Sequence, residues 1–423
     1  MVYVADLQSP LSFEIANVDT MGLENVMKKP LRFATVSRQT SEGPAKISLA
    51  KELPVHAGPV GDVSFEVVGV KRRDDKQKAE EIPDGALLTK STLASIFDRP
   101  ASDFSANAVN YYIAAKAPTE LNESGEELLS SYHSAYWGVL GLDRLDKRLG
   151  ERLMSSNNNG VWARARTDHM STGKSAGDFS SNMYQLQVGY DHRLRADHGE
   201  WLLGAGLDYR RTRAEFKHTT NVNKLEGWGA ALYATLLRDD GINLDLTADY
   251  HRLTNRFDGR ADADGRNHLD VWRFSAEAQK RFDLNDDFSV TPEVQLQYVV
   301  VPGNTLGLDN GVSMHQDRFD STVGRLGVRL DKKLSSAHDA SVYAKADVLH
   351  EFSGKQKVHF KHPTIGSNVL DAEIGNKGTW YDVGVGGSWN IDRDCVLSAD
   401  GEYRFGHGLR RSFGLNVGVR WNF

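Results

Sequence analysis

The sequence has little cysteine and no long apolar run, and each scarcity removes a class of protein. One cysteine, Cys395, in 423 residues excludes an intrachain disulfide framework. No stretch of about 18 apolar residues occurs, so the sequence itself contains no transmembrane helix. The net charge of -6 includes no basic stripe that would favour nucleic-acid binding. A mean hydropathy of -0.47 does not exclude a membrane barrel, because alternating strands look polar on average.

The most regular pattern in the chain is its last eleven residues. Small or polar residues separate six apolar ones there: Phe413, Leu415, Val417, Val419, Trp421 and Phe423. A period of two predicts a β-strand with one apolar and one polar face, and about ten tilted residues span a bilayer. The alternative is an edge strand of a soluble sandwich, which would leave an unprotected apolar edge.

Strand patterns continue through the C-terminal two thirds of the chain. The predicted strands are 160–167, 181–193, 201–213, 226–237, 242–255, 268–281, 288–301, 319–331, 340–352, 379–391, 395–405 and 412–423. Short and long links alternate between them, except that the last link, 406–411, is short where a long one is expected. Outer-membrane barrels have an even strand count, short periplasmic turns and long external loops. We therefore predict an all-β fold, a twelve-stranded antiparallel transmembrane barrel with apolar residues toward lipid.

Before the barrel, residues 126–153 have helical spacing with leucines on one stripe and charges on the other faces. On its own pattern this helix fits either a surface packed by its leucines or the inside of a polar pore. An even strand count with the C-terminus in the periplasm places the end of this helix there too. Residues 1–118 would then lie beyond its other end.

Residues 1–118 contain short strand-like runs, at 11–18, 31–36, 45–49, 63–70 and 110–114. One short helix is predicted at 87–97, and no site can be named in this region. The chain starts without the basic and apolar segments of a signal peptide. If the protein is exported, we expect this sequence to be the C-terminal piece of a longer precursor.

Motifs for chemistry are weak throughout. The Gly-Lys-Ser at 173–175 lacks the first glycine of a phosphate loop, since Asp168 occupies that position. Asp262 and Asp264 lack the further acidic positions of a calcium loop. The 14 histidines have no metal-ligand spacing, and no Ser-His-Asp set can be linked. We therefore predict no enzymatic activity, no cofactor and no metal site.

The order of motifs from residue 126 to 423 resembles the translocator of a type V autotransporter. A helix with LDRLDKRLGERL is followed by GVWARA at the start of the barrel, by twelve strands, and by GLNVGVRWNF ending in Phe423. The resemblance implies a location in the Gram-negative outer membrane, with residues 1–118 as the end of a passenger, often a β-helix, at the cell surface. It also implies a monomeric barrel in contact with outer-membrane lipid. The last strand would be the signal read by the barrel-assembly machinery, with periplasmic chaperones as further partners.

The resemblance places the helix inside the pore and so names candidate residues. The predicted pore-helix residues are Leu142, Arg144, Leu145, Lys147, Arg148, Leu149 and Arg152. The predicted lumen-facing partners of the helix charges are Arg164, Arg166, Asp191, Asp208, Asp245, Asp249, Glu293, Arg329, Asp382, Asp400 and Glu402. Alternating glycines in the strands are expected to leave room for the helix, namely Gly204, Gly206, Gly384 and Gly386.

The predicted domains are a β-rich passenger end at 1–118, a linker and pore helix at 119–159, and the barrel at 160–423. The leading function is an outer-membrane anchor that exports and displays its passenger. The alternative is a free-standing porin with residues 1–118 as a periplasmic domain. Self-cleavage within the pore helix would need an asparagine there, but the cluster at 157–159 follows the helix, so we expect the passenger to stay attached.

Overall fold

The computed structural model describes the whole chain except residues 1, 5–10, 14–30, 37–46, 50–59, 63, 72–108, 117, 142–158, 174–176, 260–262, 335–339 and 363–365. The chain divides into two compact units. One contains residues 1–126 and 359–371, and the other contains residues 127–358 and 372–423. The predicted domain boundaries at 118 and 159 stay predictions.

The N-terminal strands occur near the runs that the sequence predicts. They are β1 (Val2–Val4), β2 (Leu11–Phe13), β3 (Leu31–Val36), β4 (Ile47–Leu49), β5 (Ser64–Lys71) and β6 (Val109–Lys116). One sheet has the order β1-β3-β6-β5, and β2 pairs with β4. The pairs β1–β3 and β2–β4 are parallel, whereas β6 runs antiparallel to β3 and β5. The predicted helix at 87–97 lies outside the described residues.

Helix α1 (Glu123–Leu140) precedes the barrel. It ends before Gly141, whose φ of 53° lies in the left-handed region that stops a helix. The prediction of one continuous helix over 126–153 is therefore wrong in its extent, because the leucine stripe was followed through this glycine. Among the described residues, no helix is both long and apolar enough to cross a membrane.

The strands that follow α1 are longer than the sequence predicts. They are β7 (Gly160–Thr172), β8 (Phe179–Ala196), β9 (Gly199–Phe216), β10 (Val222–Arg238), β11 (Ile242–Asp258), β12 (Gly265–Lys280), β13 (Phe282–Asp283), β14 (Phe288–Val301), β15 (Asn304–Gly307), β16 (Ser313–Gln316), β17 (Phe319–Lys333), β18 (Ala340–Glu351), β19 (Lys355–His362), β20 (Gly366–Gly375), β21 (Gly378–Asn390), β22 (Cys395–Gly406) and β23 (Leu409–Asn422).

Twelve of these strands close a barrel through antiparallel pairing. Each barrel strand pairs with the barrel strand that comes before it and the one that comes after it in the chain, so that β14 pairs with β12. Strand β23 pairs with β7 and completes the circle. The two-residue β13 pairs with β14 beside the end of β12. The predicted twelve-stranded antiparallel barrel is confirmed. Short turns gather at the end of the barrel where β7 begins, and the hairpins β15–β16 and β19–β20 lie in loops at the opposite end, called the long-loop end below.

The outward face of the barrel is apolar over its middle. On β8, Tyr184, Leu186 and Val188 are 61%, 63% and 55% exposed, while the side chains between them turn inward. In water, each of these side chains would expose around 60 Å² or more of apolar surface. This exposure would cost on the order of 1.5 kcal/mol of free energy per side chain. This face is therefore the one that contacts lipid.

The polarity of the two faces reverses along single strands. On β11, Leu246 points outward and Asp245 inward, but nearer the long-loop end Arg252 points outward and Leu253 is fully buried inside. Strands of up to 18 residues are longer than the 9–11 residues that span a bilayer, so their ends project beyond it. The projecting ends are polar outside because they meet water, and their inner faces are free to be apolar.

Candidate functional site: the helix in the barrel lumen

Helix α1 begins with a side-chain cap. Asn122 Oδ1 accepts a hydrogen bond from the Gly125 backbone N–H at 3.0 Å, and the Asn122 carbonyl accepts the first helical bond, from the Glu126 N–H at 2.9 Å. Glu123 and Glu126 place negative charge in the first turn, where the helix dipole favours it. The start of α1 is therefore specified locally by the sequence.

The rest of α1 is surrounded by barrel strands. Tyr136 Oη donates to Glu351 Oε2 of β18 at 2.7 Å, and Asn223 Nδ2 of β10 donates to Ser134 Oγ at 2.8 Å. Trp137 packs edge-on against Trp380 of β21 with ring centroids 5.6 Å apart. Because these strands lie on different sides of the barrel, the helix occupies the lumen.

Two side chains of the wall hold the end of α1. Arg210 Nη1 of β9 donates to the Gly138 carbonyl at 3.0 Å, and Gln297 Nε2 of β14 donates to the Leu140 carbonyl at 2.8 Å. The last carbonyls of a helix have no partner within it and carry partial negative charge. A buried guanidinium and an amide satisfy two of them here, so the wall holds the C-terminal end of the helix in place.

An apolar cluster fills the lumen around α1. Its buried members are Ala135, Tyr136, Val139, Leu140, Leu225, Leu253, Leu269, Val271, Val299, Val301, Phe319, Val323, Leu349, Trp380 and Leu409. The wall residues among them lie toward the long-loop end of their strands. The prediction that the apolar residues of the strands face lipid is wrong for this end. The reversal of polarity after Tyr250 on β11 was the signal in the sequence.

Between the end of α1 and the short-turn end of the barrel, the lumen is lined by ionisable groups that contact one another. His251 Nε2 lies 2.8 Å from Asp208 Oδ1, and its Nδ1 lies 3.1 Å from Asp249 Oδ1. Arg273 Nε donates to the same Asp249 oxygen at 2.7 Å. On the other side of the barrel, Arg404 forms an ion pair with Asp382, with the Arg404 Nε 3.0 Å from the Asp382 Oδ2. Partners on the wall therefore offset the cost of burying these charges.

All eleven residues predicted to face the lumen lie on the inward side of their strands. Nine are buried, and Asp249 and Asp400 are half-buried. The partners that the structure describes for them are on the wall, as in Arg329 with Asp331 at 2.6 Å and Asp400 with Asn416 at 2.7 Å. The predicted pore-helix residues, from Leu142 to Arg152, lie outside the described residues. Pairing between the two sets stays a prediction.

The alternating glycines make room for side chains of the wall. A Cβ added at Gly204 would lie 2.2 Å from the ring of Tyr233, and one at Gly386 would lie 2.5 Å from Tyr343. Trp162 lies over Gly206 and Lys345 lies against Gly384. The described occupants of this space are thus barrel residues, where we expected the helix. Trp162 Nε1 also donates to Tyr233 Oη at 2.7 Å, which blocks part of the lumen.

The predicted assembly strand corresponds to β23 and Phe423 after it, and the six apolar residues predicted for it point outward. They are between 39% and 62% exposed: Phe413, Leu415, Val417, Val419, Trp421 and Phe423. The Phe423 N–H donates to the Asn159 carbonyl at 2.9 Å, beside the pairing of β23 with β7. Within the described part of the chain, no three His, Cys, Asp or Glu side chains form a group that could hold a metal ion.

Comparison with known proteins decides what this arrangement is. The family model of the autotransporter beta-domain matches residues 161–402, more than half of the chain. The chain belongs to the autotransporter beta-domain family. The pertactin autotransporter of Bordetella parapertussis is 28% identical to it over 331 residues, which cover 73% of this chain and 34% of pertactin.

Solved autotransporter structures share the fold. The transport unit of AIDA-I from Escherichia coli has a TM-score of 0.56 at 16% identity and covers 69% of this chain and 98% of its own. The beta domain of the Bordetella autotransporter BrkA has a TM-score of 0.52 at 20% identity and covers 63% of this chain and 100% of its own. This autotransporter chain spans about a third of the length of the pertactin relatives that it matches.

Family and fold together confirm two predictions. The barrel is an autotransporter beta-domain, and it resides in the outer membrane of a Gram-negative bacterium. The apolar outer face agrees with a lipid environment.

Proposed function

We propose that α1 is the last segment of an exported chain, retained in the pore after transport, and that residues 1–118 are displayed outside the cell. One observation carries this proposal. The helix fills the lumen at the long-loop end, and the carbonyls at its C-terminal end are held by Arg210 and Gln297. Strand β7, the next described strand, begins at Gly160 at the opposite end of the barrel.

The orientation follows from loop length. Outer-membrane barrels keep short turns in the periplasm and long loops outside. With the long-loop end outward, the N-terminal side of α1 faces the exterior. A passenger attached to Glu123 is then external, as display requires.

The outward residues of β23 are proposed as the signal that the barrel-assembly machinery reads, with periplasmic chaperones acting before insertion. Their support is an unbroken apolar face ending in an aromatic residue on the strand that closes the barrel. We further propose that the barrel is monomeric and that the described chain is a conduit without catalytic activity. Its buried charged groups pair within the wall, as Arg273 does with Asp249.

Conductance tests the position of α1. The full chain in a planar lipid bilayer should be nearly closed. Replacing Arg210 and Gln297 by alanine removes the two wall donors at the end of the helix and should give frequent open events. Arg211→Ala is the matched control, because Arg211 lies next to Arg210 but points outward. A steadily open channel from the unaltered chain would favour the porin alternative.

Surface display is tested separately. An antibody against residues 1–118 should label intact cells that carry the chain in their outer membrane. The chain should also run as one full-length band on a denaturing gel. Labelling only after the outer membrane is permeabilised would contradict display, and two fragments divided between Tyr132 and Asn159 would contradict an attached passenger.

A further inference from the structure

A row of four basic side chains crosses strands β9 to β12 on the outward face, near the long-loop end. The strand registers place Arg213 opposite Lys224, Lys224 opposite Arg256, and Arg256 opposite Arg266. Lys224 lies on the same face as Trp228, four residues further along β10, which is 69% exposed. With neighbouring strands about 4.8 Å apart, the row is about 14 Å long. We call these four residues the basic row.

The depth of the basic row follows from the aromatic side chains below it. Tyr209 contacts Trp228 with ring centroids 5.1 Å apart, and Tyr250 contacts Trp272 at 4.6 Å. Outward tyrosine and tryptophan side chains of membrane proteins lie at the boundary between hydrocarbon and headgroups. The row is four to six residues beyond them, which for tilted strands is roughly 9–14 Å further out. This is the depth of the lipid headgroups.

Carboxylates form ion pairs with only two of the four side chains of the basic row. Arg213 Nε lies 2.8 Å from Glu215, and Lys224 Nζ lies 2.5 Å from Asp258. Among the described residues, no carboxylate forms an ion pair with Arg256 or Arg266, and both arginines are exposed. Like charges directly opposite each other in a sheet are destabilising. A ligand that neutralises both would remove that cost.

Among the described residues of β17, β18 and β21, no such row of basic side chains occurs at this end. At the same end of β17, β18 and β21, the outward residues are Asp320, Thr322, His350 and Thr379. A general attraction to anionic membranes would not require four basic side chains in one row. A ligand with more than one phosphate fits such a row.

We propose that the basic row is a binding site for an anionic lipid of the outer leaflet that carries more than one phosphate. Arg256 and Arg266 contact one phosphate together, where their guanidinium groups donate charge-assisted hydrogen bonds. Arg213 and Lys224 reach a second phosphate along the row. The acyl chains then lie against the aromatic and apolar face below. This assignment of leaflet rests on the proposed orientation of the barrel, but binding to the row itself does not.

The experiment uses the full chain in detergent micelles and diphosphoryl lipid A as the probe, with bound lipid counted by native mass spectrometry. The variant Arg256→Gln with Arg266→Gln should bind at least about tenfold more weakly, since each basic group near a lipid surface contributes appreciably. Arg256→Lys with Arg266→Lys keeps the charge and should bind within about threefold of the unaltered chain. Lys332→Gln with Lys333→Gln, at the opposite end of the barrel, is the control of equal charge change and should bind as the unaltered chain does.

Two further probes separate the sources of phosphate. Phosphatidylglycerol, with one phosphate, should bind much more weakly than the diphosphoryl lipid, and equal binding would overturn the requirement for two phosphates. Inorganic pyrophosphate should not displace the lipid at equal concentration, and displacement would overturn a lipid site in favour of a free anion. Unchanged binding by the glutamine variant would overturn the site altogether.

Retention of the compact band of a folded barrel in cold detergent gels shows that each variant is folded. If the glutamine variant is not folded, the dependence of lipid binding on salt in the unaltered chain provides the test. Binding that does not weaken between low and high salt would then overturn the proposal. Closed or open conductance is independent of all these results, so failure of this site and failure of the proposed export function remain distinguishable.

Discussion

The buried carboxylate of Glu351 illustrates how single residues hold the helix in the barrel. It accepts hydrogen bonds from the Tyr136 hydroxyl at 2.7 Å, from the Ser321 hydroxyl, and from the Thr322 and Ser353 backbone N–H groups at 2.8 and 3.0 Å. A buried carboxylate is stable only when such donors replace water. One of these donors belongs to α1, so the helix and the wall depend on each other.

Tyr136→Phe removes that donor without changing the ring. We expect a loss of about 1–3 kcal/mol, because the hydrogen bond is to a charged group and the carboxylate stays buried. The loss is measured as a lower unfolding temperature of the full chain in detergent. Tyr184→Phe is the control, since this ring is 61% exposed on the lipid face, and it should leave the unfolding temperature unchanged. Equal effects of the two substitutions would contradict the role of Tyr136.

A second residue, Asp178, makes stability depend on pH at the long-loop end. Burial alone would raise the pKa of its carboxyl, but the hydrogen bond and charge of Lys217, at 2.6 Å, together with the His218 hydrogen bond and the Arg410 charge, outweigh this and lower the pKa below 3.8. Because the folded pKa is the lower one, the stabilisation is present above the unfolded value near 3.8 and is lost as pH falls through the folded pKa.

Asp178→Asn should therefore destabilise the barrel at pH 7 by about 1 kcal/mol or less, and the difference from the unaltered chain should shrink as pH falls below 4. Asparagine keeps the backbone conformation, since Asp178 has a φ of 43° and both residues tolerate it. Unfolding temperatures measured across pH 2–7 check the prediction, with the exposed Asp286→Asn as control. A difference that grows toward acid would refute it.

At the scale of elements, the sequence predicts the strands well and the helix only in part. The period of two survives along the barrel strands except at the bulges between Arg404 and Gly406 and between Leu409 and Arg411, because a pleated strand alternates its faces whatever surrounds it. Which face is polar depends on depth, so Leu253 and Arg252 could be placed only once the membrane boundary near Tyr250 was known. The inward-facing charges, such as Asp208 and Arg329, could be predicted because they lie at membrane depth, where the polar side chains of a strand face the lumen.

The end of α1 depends on Gly141. The helical spacing of the leucines continues past this glycine in the sequence, so the pattern did not predict the end of the helix. Gly141 has a φ of 53°, and a Cβ there would lie 1.5 Å from Arg273 Nη1. Residues 142–158, with the predicted charges of the pore helix, lie outside the described part of the chain. Local conformation at this one residue therefore separates the described helix from the predicted one.

Gly141→Ala should destabilise helix α1. A non-glycine residue in the left-handed region costs roughly 1–2 kcal/mol, and Arg273 must move away from Asp249. We expect faster hydrogen exchange of the backbone amides in the last turn of α1, by about fivefold to thirtyfold. Gly307→Ala is the matched control, because nothing lies within 4 Å of a Cβ added there. Unchanged exchange at α1 would mean that Gly141 does not set the end of the helix.

At the scale of the whole molecule, the barrel is inverted relative to a soluble sandwich. Its apolar middle faces outward on β8, β23 and the strands between, while charged residues pair inside. Strand β23 has a double role in this arrangement, since it completes the circle with β7 and carries the most regular outward apolar face. The stability of the barrel is therefore conditional on lipid or detergent around that face.

Lysines in the middle of β23 test this condition. Leu415 and Val417 are 60% and 51% exposed near the centre of the strand, where a lysine costs roughly 2–4 kcal/mol at bilayer midplane depth. Leu415→Lys with Val417→Lys should abolish refolding of the full chain into phospholipid vesicles, read as loss of the compact band in cold detergent gels. His169→Lys, on the outward face of β7 near the long-loop end, should refold normally, because the cost there falls to about 0–1 kcal/mol. Normal refolding of the double variant, or folding of the unaltered chain in buffer without lipid or detergent, would contradict an outward face built for the membrane.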